Sequence, residues 1–121
     1  MVRPDNFDSD AMFVEFKLSW EDWLEYRNIQ ETGKKALKQH QSDYLSFGAE
    51  SRQFNANEFG WTYKNSSGIT RHEWDDLSGV IYLDRVIVLM TPIHYPLPRT
   101  AFNEAQVATL MRWLKRAMDE S

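Results

Sequence analysis

The sequence predicts an α+β fold: a twisted antiparallel sheet or partial barrel, preceded by an N-terminal strand and helix and closed by a C-terminal amphipathic helix. Two observations support this prediction. Between residues 43 and 98, short apolar segments alternate with turn-forming residues, which is typical of consecutive strands. From Asn103 onward, the apolar residues recur at the spacing of an α-helix.

The sequence pattern of the N-terminal part predicts a strand followed by a helix. Met12–Leu18 places apolar residues at every second position, which indicates a strand with one buried face. Ser19 is a suitable helix N-cap, and Asp22 in the first turn complements the helix dipole. Residues 30–42 are mostly polar and form either a solvated helix or a mobile connection. The pattern leaves open whether the first strand joins its own sheet or that of a neighbouring copy.

The sequence pattern in the middle of the chain predicts the strands of the sheet. Short strands and turns begin at Asp43 and include Tyr44–Gly48. Asn65–Gly68 is the strongest turn signal, and Tyr95–Pro98 is expected at a sheet edge because proline has no N–H to donate. The other predicted strands are Ser51–Ala56, Phe59–Lys64, Ile69–Trp74, Val80–Leu83 and Val86–Met90.

The last element is the predicted C-terminal helix. Asn103 and Gln106 match a capping box at its start. The predicted buried stripe, with Trp113 at its edge, consists of Val107, Leu110, Met111, Leu114 and Met118.

The length of 121 residues fits a single domain, 1–121. Within it we distinguish a leader at 1–10, the N-terminal strand and helix at 11–40, and the sheet with its closing helix at 43–121. A hydrophobic content of 42% and an aromatic content of 14% argue against disorder, because they supply the apolar surface that a folded core requires.

Charge and composition exclude several classes of function. A net charge of -4 argues against nucleic-acid binding, and we interpret the short basic run at Lys34, Lys35 and Lys38 as a solvated helix face. The absence of cysteine excludes thiolate chemistry and favours a reducing compartment. The polar first residues lack the apolar core of a signal peptide, and no apolar run approaches the ~20 residues that span a bilayer. We therefore expect a cytoplasmic protein without an integral membrane segment.

Two parts of the chain resemble the YcxB-like family. Phe16–Tyr26 is similar to that family's opening strand and helix. The second part runs from the Trp74–Asp76 corner through the strands Val80–Met90 to Pro98–Phe102 and the last helix. The resemblance implies a pleckstrin-homology-like sheet with a C-terminal helix, and it implies no catalytic residue. Family members usually carry two membrane-spanning helices after the opening helix. Only the polar stretch Gln30–Asp43 stands there in this chain, so the resemblance implies a soluble variant.

His72, Asp75 and Asp76 form the one cluster that could supply a general base or metal ligands. Such sites need several convergent groups, whereas neighbouring strand residues point to opposite faces. A strand end followed by an acidic turn is the preferred interpretation. We therefore expect no enzymatic activity, no metal and no cofactor, and a hydrolase built on these residues remains the lesser hypothesis.

Two groups of residues could contact a partner. Trp20 and Trp23 are either an aromatic anchor for another protein or one side of a helix–sheet core. Arg99, with His94 and Tyr95 nearby, either binds an anion at the sheet edge or pairs with the acidic corner that follows the strand of His72.

No motif assigns a function, so three hypotheses are ranked. The first is a non-enzymatic interaction module that acts through self-association, as a homodimer, or through an unknown protein partner, because open sheet edges invite pairing. The second is a domain that binds a small ligand or a lipid headgroup in a cleft beside the last helix and Arg99. The third is the hydrolase described above.

Overall fold

The computed structural model describes residues 11–27 and 34–119, without the side chains of residues 34–37. The predicted leader at 1–10 lies outside the described residues. The strands form two antiparallel sheets. The first has the order β1 (Met12–Phe16), β2 (Arg52–Ala56), β3 (Gly60–Asn65) and β4 (Gly68–Glu73). The second has the order β5 (Gly79–Tyr82), β6 (Val86–Met90) and β7 (His94–Pro98).

The described residues also contain three α-helices: α1 (Trp20–Tyr26), α2 (Lys34–Asp43) and α3 (Glu104–Asp119). The predicted α+β class, the antiparallel pairing and the C-terminal helix are therefore confirmed. The four strands of the first sheet and the three of the second share no ladder, so the sheets are not closed into a barrel.

The first strand joins the sheet of its own chain. β1 pairs antiparallel with β2, from Met12 opposite Ala56 to Phe16 opposite Arg52. The side chains that alternate along it are buried as predicted, and Leu18, just beyond the strand, is buried as well. A period of two was sufficient here because only one face of β1 meets the core.

Ser19 caps α1 as predicted. Its hydroxyl accepts a hydrogen bond from the N–H of Asp22, while the Asp22 carboxylate accepts one from the N–H of Ser19, each at 3.0 Å. This reciprocal capping box fixes the direction in which the chain leaves β1.

The polar connection is helical in its described part, because α2 occupies Lys34–Asp43 and continues into a π-helical turn at Tyr44–Gly48. The prediction of short strands over Tyr44–Gly48 was wrong. The Tyr44 hydroxyl donates to the carbonyl of Leu18 at 2.8 Å, and its ring packs edge-on against Trp20. These contacts with α1 and its start hold the segment in a helical conformation that local residue preference did not indicate.

The turn at Asn65–Gly68 is confirmed. Asn65 pairs with Gly68 at the end of the β3–β4 hairpin, and the Asn65 side chain accepts a bond from the N–H of Ser67 at 2.9 Å. Gly68 has a φ of 130°, which a residue with a Cβ rarely adopts.

The central strand of the second sheet, β6, is buried on both faces. All the residues from Val86 to Leu89 are buried, and α1 packs on β6. β7 is an edge strand as its prolines predicted, yet Pro96 and Pro98 are themselves buried. The β7 edge is therefore closed to a further strand, both because it is buried and because proline has no N–H.

α3 completes the core. Asn103 and Gln106 form the predicted capping box, with bonds of 2.8 and 2.9 Å. The buried stripe is rotated from the predicted one: Leu110 and Leu114 are at its centre, and Trp113 lies inside rather than at the edge. The cause is the ring of Trp74, which lies 5.6 Å from that of Trp113.

Candidate functional site

The most exposed element of either sheet is β4, which ends the first sheet. Every residue of this six-residue strand is exposed except His72, which is half-buried. Only β3 pairs with it in the described part of the chain. An edge strand of this kind presents a row of unpaired backbone groups that can bind another strand.

The hydrogen bonds of β3 determine which groups on β4 are free. The carbonyl of Gly60 accepts a bond from Asn57 on the β2 side, and bonding direction alternates along an antiparallel strand. Trp61, Tyr63 and Asn65 therefore bond towards β4, where their partners are His72, Thr70 and Gly68. The backbone groups of the intervening residues, Ile69, Arg71 and Glu73, point away from β3.

Side chains cap both ends of this free edge. The N–H of Glu73 donates to the carboxylate of Asp76 at 2.8 Å. At the other end, the N–H of Ser67 donates to the side chain of Asn65 at 2.9 Å. The N–H and C=O groups of Ile69 and Arg71 remain between these caps, and no described residue bonds to them.

A cleft of about 600 Å³ opens beside the start of β3 and the end of β4. Asn55, Thr62 and Arg71 form one cross-strand row and line this cleft. The exposed Phe59 also lines it, and Gly60 has no side chain to fill it. Gly60 cannot be enlarged, because a Cβ there would lie 2.4 Å from the carbonyl oxygen of His72.

The suggested catalytic cluster is only partly assembled. His72 Nδ1 lies 3.8 Å from the Asp76 carboxylate, and His72 Nε2 lies 3.3 Å from the Tyr95 hydroxyl. The imidazole also stacks on Trp61, with 4.6 Å between ring centroids. The Asp76 oxygen that approaches His72 is the one that caps Glu73, which agrees with the interpretation as an acidic turn. Among the described residues, no group of three or more potential ligands could hold a metal ion.

The two tryptophans of α1 lie within the fold. Trp23 is 3% exposed and belongs to the core, and Trp20 is half-buried against Tyr44. Gly48 packs so closely on Trp23 that a Cβ would lie 2.7 Å from the indole. These positions agree with the helix–sheet core, the alternative to an exposed anchor.

The other suggested contact residues do not form one site. Tyr95 is buried against His72, whereas His94 is exposed. Arg99 donates from Nε to the carbonyl of Leu83 at 2.8 Å, so it holds the β5–β6 hairpin rather than the acidic corner.

The structure also contains a buried arginine that the sequence analysis missed. Arg52 is 7% exposed and donates to the Tyr63 hydroxyl at 3.2 Å and to the Phe47 carbonyl at 2.8 Å. The available signal was its alternation with Phe54 and Ala56, which places a charge on the buried face of β2. β4 had a signal too, because its sequence contains only one large apolar residue, Ile69, so neither face could be deeply buried.

These features define an α+β domain of two antiparallel sheets and a C-terminal helix, in which the β4 edge of the first sheet is exposed. The model of the YcxB-like protein family matches residues 54–114, just over half of the chain. The chain therefore belongs to the YcxB-like family, and the match runs from β2 into α3. No curated protein and no solved structure matched the chain. Within residues 11–27 and 34–119, no helix is long and apolar enough to cross a membrane.

Proposed function

We propose that this chain is a non-enzymatic interaction module that binds an extended protein segment as an additional strand beside β4. The observation that carries the proposal is the free edge: the N–H and C=O groups of Ile69 and Arg71 point outward and lack partners among the described residues. Main-chain hydrogen bonds then supply affinity, and pockets for alternate side chains supply specificity.

Backbone bonding alone gives weak binding. Four hydrogen bonds at a net value of roughly 0.5–1.5 kcal/mol each contribute roughly 2–6 kcal/mol, which is comparable with the free-energy cost of association. Side chains must therefore contribute, and two features are available for them. Ile69 is 65% exposed, and the cleft beside Arg71 can accept a side chain of the bound segment.

The proposal includes a cytoplasmic location, which the absence of cysteine supports. The absence of catalysis is supported by the surroundings of His72. Its ring is stacked on Trp61, and the tyrosine hydroxyl beside it belongs to the buried Tyr95.

The test uses a proline that blocks the free edge. Random peptides displayed on phage are selected on the immobilised wild-type chain, and the selected peptides are measured against Arg71→Pro and Arg71→Ala. The Arg71 N–H points outward, so proline removes it without breaking the bonds to β3. We expect the peptides to bind wild type and Arg71→Ala, to lose at least about tenfold in affinity for Arg71→Pro, and to protect the amides of Ile69 and Arg71 from hydrogen exchange. Equal binding to all three forms contradicts strand addition, and so does failure to select any peptide on a chain that is monomeric.

A second candidate function is the binding of a small anionic ligand, including a lipid headgroup, and the cleft favours it. Arg71 supplies a cation there, beside the hydroxyl of Thr62 and the amide of Asn55. Millimolar inorganic phosphate should then shift the NMR signals of these three residues in wild type and not in Arg71→Ala. Unchanged spectra exclude the anionic ligand.

A further inference from the structure

The geometry points to a second copy of this chain as the partner of β4. We infer that two β4 strands pair antiparallel about a two-fold axis that passes between their Thr70 residues. This inference rests on the proposed function, because it names the partner for the same edge.

The free groups of β4 are arranged symmetrically about Thr70. Ile69 and Arg71, whose N–H and C=O groups are free, lie one residue on either side of it. Ser67 and Glu73, whose N–H groups are capped by side chains, lie three residues on either side. A two-fold axis at Thr70 therefore maps free groups onto free groups and capped groups onto capped groups.

In this register, Ile69 of each copy lies opposite Arg71 of the other. Each such pair exchanges two N–H···O=C bonds, as hydrogen-bonded pairs of an antiparallel ladder do. The two pairs use all four free groups of each strand, so no outward group of Ile69 or Arg71 is left without a partner. The two four-stranded sheets then form one continuous sheet.

The two neighbouring registers are less favourable than the register centred on Thr70. A two-fold axis at Arg71 places the two arginines directly opposite each other, and like charges in that position are destabilising. It also requires the N–H of Glu73, which is bonded to Asp76. An axis at Ile69 places Arg71 opposite Ser67, whose N–H is bonded to Asn65.

The side chains are compatible with the register at Thr70. On the outer face, Ile69 lies next to the aliphatic stem of Arg71 of the second copy, which can cover its exposed apolar surface. On the inner face, the two threonines meet. His72 lies opposite Gly68 of the second copy, where the absence of a side chain leaves space for the imidazole.

Because the chain contains no cysteine, single cysteine variants can test both the dimer and its register. Thr70 would form a non-hydrogen-bonded pair with Thr70 of the second copy. The Cα separation in such a pair is about 4.5 Å, which a disulfide can bridge. Under mild oxidation at micromolar protein, we expect Thr70→Cys to form covalent dimers at least about tenfold faster than Thr100→Cys, an exposed control outside the sheets. Ile69→Cys and Arg71→Cys should react slowly. A faster reaction of Arg71→Cys, or equal rates for Thr70→Cys and Thr100→Cys, overturns the inferred pairing.

Sedimentation of the unmodified chain provides the second measurement. Wild type and Tyr82→Pro, which blocks the other exposed edge at β5, should dimerise with increasing concentration, whereas Arg71→Pro should stay monomeric. Circular dichroism confirms that each variant is folded. A wild-type chain that stays monomeric contradicts the inference. If selected peptides still bind its β4 edge, the proposed function stands and only the identity of the partner is wrong. If no peptide binds either, both are wrong.

Discussion

Arg52 and Tyr63 form a buried pair in which Arg52 Nη1 lies 3.2 Å from the tyrosine hydroxyl oxygen. The hydroxyl in turn donates to the carbonyl of Pro96 at 2.8 Å, and Arg52 Nη2 donates to the carbonyl of Phe47 at 2.8 Å. Two neighbouring strands of the first sheet are thereby tied to β7 of the second sheet and to the π-helical turn. These bonds fix the position of the two sheets relative to each other, since no backbone ladder joins them.

Tyr63→Phe should lower the free energy of unfolding by about 1–3 kcal/mol. The substitution leaves the Pro96 carbonyl and one Arg52 N–H buried without partners, and an unsatisfied buried group carries its full desolvation cost. Urea denaturation measures the change. Tyr82→Phe, at a half-exposed tyrosine, is the matched control and should change stability by less than about 0.5 kcal/mol. Equal effects of the two substitutions contradict the structural role of the pair.

Stability should fall as the pH rises above about 10. Burial raises the pKa of the Tyr63 hydroxyl to about 12, although the nearby Arg52 guanidinium opposes the shift. The folded chain therefore keeps a proton that the unfolded chain releases. The stability contributed by the protonated Tyr63 hydroxyl is fully present below about pH 10. It is lost as the pH rises towards 12, which lowers the free energy of unfolding by roughly 2–3 kcal/mol in total. Burial also raises the pKa of Tyr26, so Tyr63→Phe should reduce this pH dependence without abolishing it, as measured by urea unfolding at several pH values.

Glu25→Ala should loosen the β5–β6 hairpin. The Glu25 carboxylate accepts two backbone bonds, from Arg85 at 2.7 Å and from Val86 at 3.0 Å. Their loss should cost about 1–3 kcal/mol, because bonds to a charged acceptor are stronger than neutral ones. Amide exchange at Val86 should accelerate. Glu21→Ala, on an exposed position of the same helix, should leave that exchange rate unchanged.

Gly48→Ala should destabilise the fold by about 1–3 kcal/mol, because an added methyl group must displace packed rings. The new Cβ would lie 2.7 Å from both Trp23 and Tyr44. The thermal midpoint and the tryptophan fluorescence report the change. Gly79→Ala is the control, since the nearest atom to its Cβ, the sulfur of Met90, is 3.8 Å away. A neutral Gly48→Ala would mean that α1 and the π-helical turn are not closely packed.

Arg99→Ala should lower stability by about 1 kcal/mol, through loss of the bond from Nε to the Leu83 carbonyl. Arg99→Lys should not restore it, because an ammonium group cannot reproduce the geometry of the guanidinium. If Arg99 instead binds an anion, phosphate should stabilise wild type and not Arg99→Ala. That result would identify Arg99 as an anion-binding residue.

Local patterns predicted the elements whose cause is local. The N-cap at Ser19 and the capping box at Asn103 follow from side chains three residues apart, and the Asn65–Gly68 turn follows from its own composition. The period of two in β1 sufficed because one face of that strand meets the core and the other meets solvent. In each case the residues that determine the conformation are neighbours in the sequence.

Contacts between residues distant in the sequence determined three features: the π-helical turn, the orientation of α3 and the exposed β4 edge. Tyr44 is held by Leu18, 26 residues away, and Trp113 is drawn inward by Trp74. The sequence predicted a strand at Ile69–Trp74, yet it did not show that β3 is the only strand paired with it among the described residues.

The sequence by itself determined the α+β class, most strands and turns, and the helix caps. The tertiary structure decided which sheet edge is open, and it placed Trp23 and Arg52 inside. The reason is physical: periodicity and capping depend on residues close together in the chain. Burial and free hydrogen-bonding groups depend on which elements lie side by side in space.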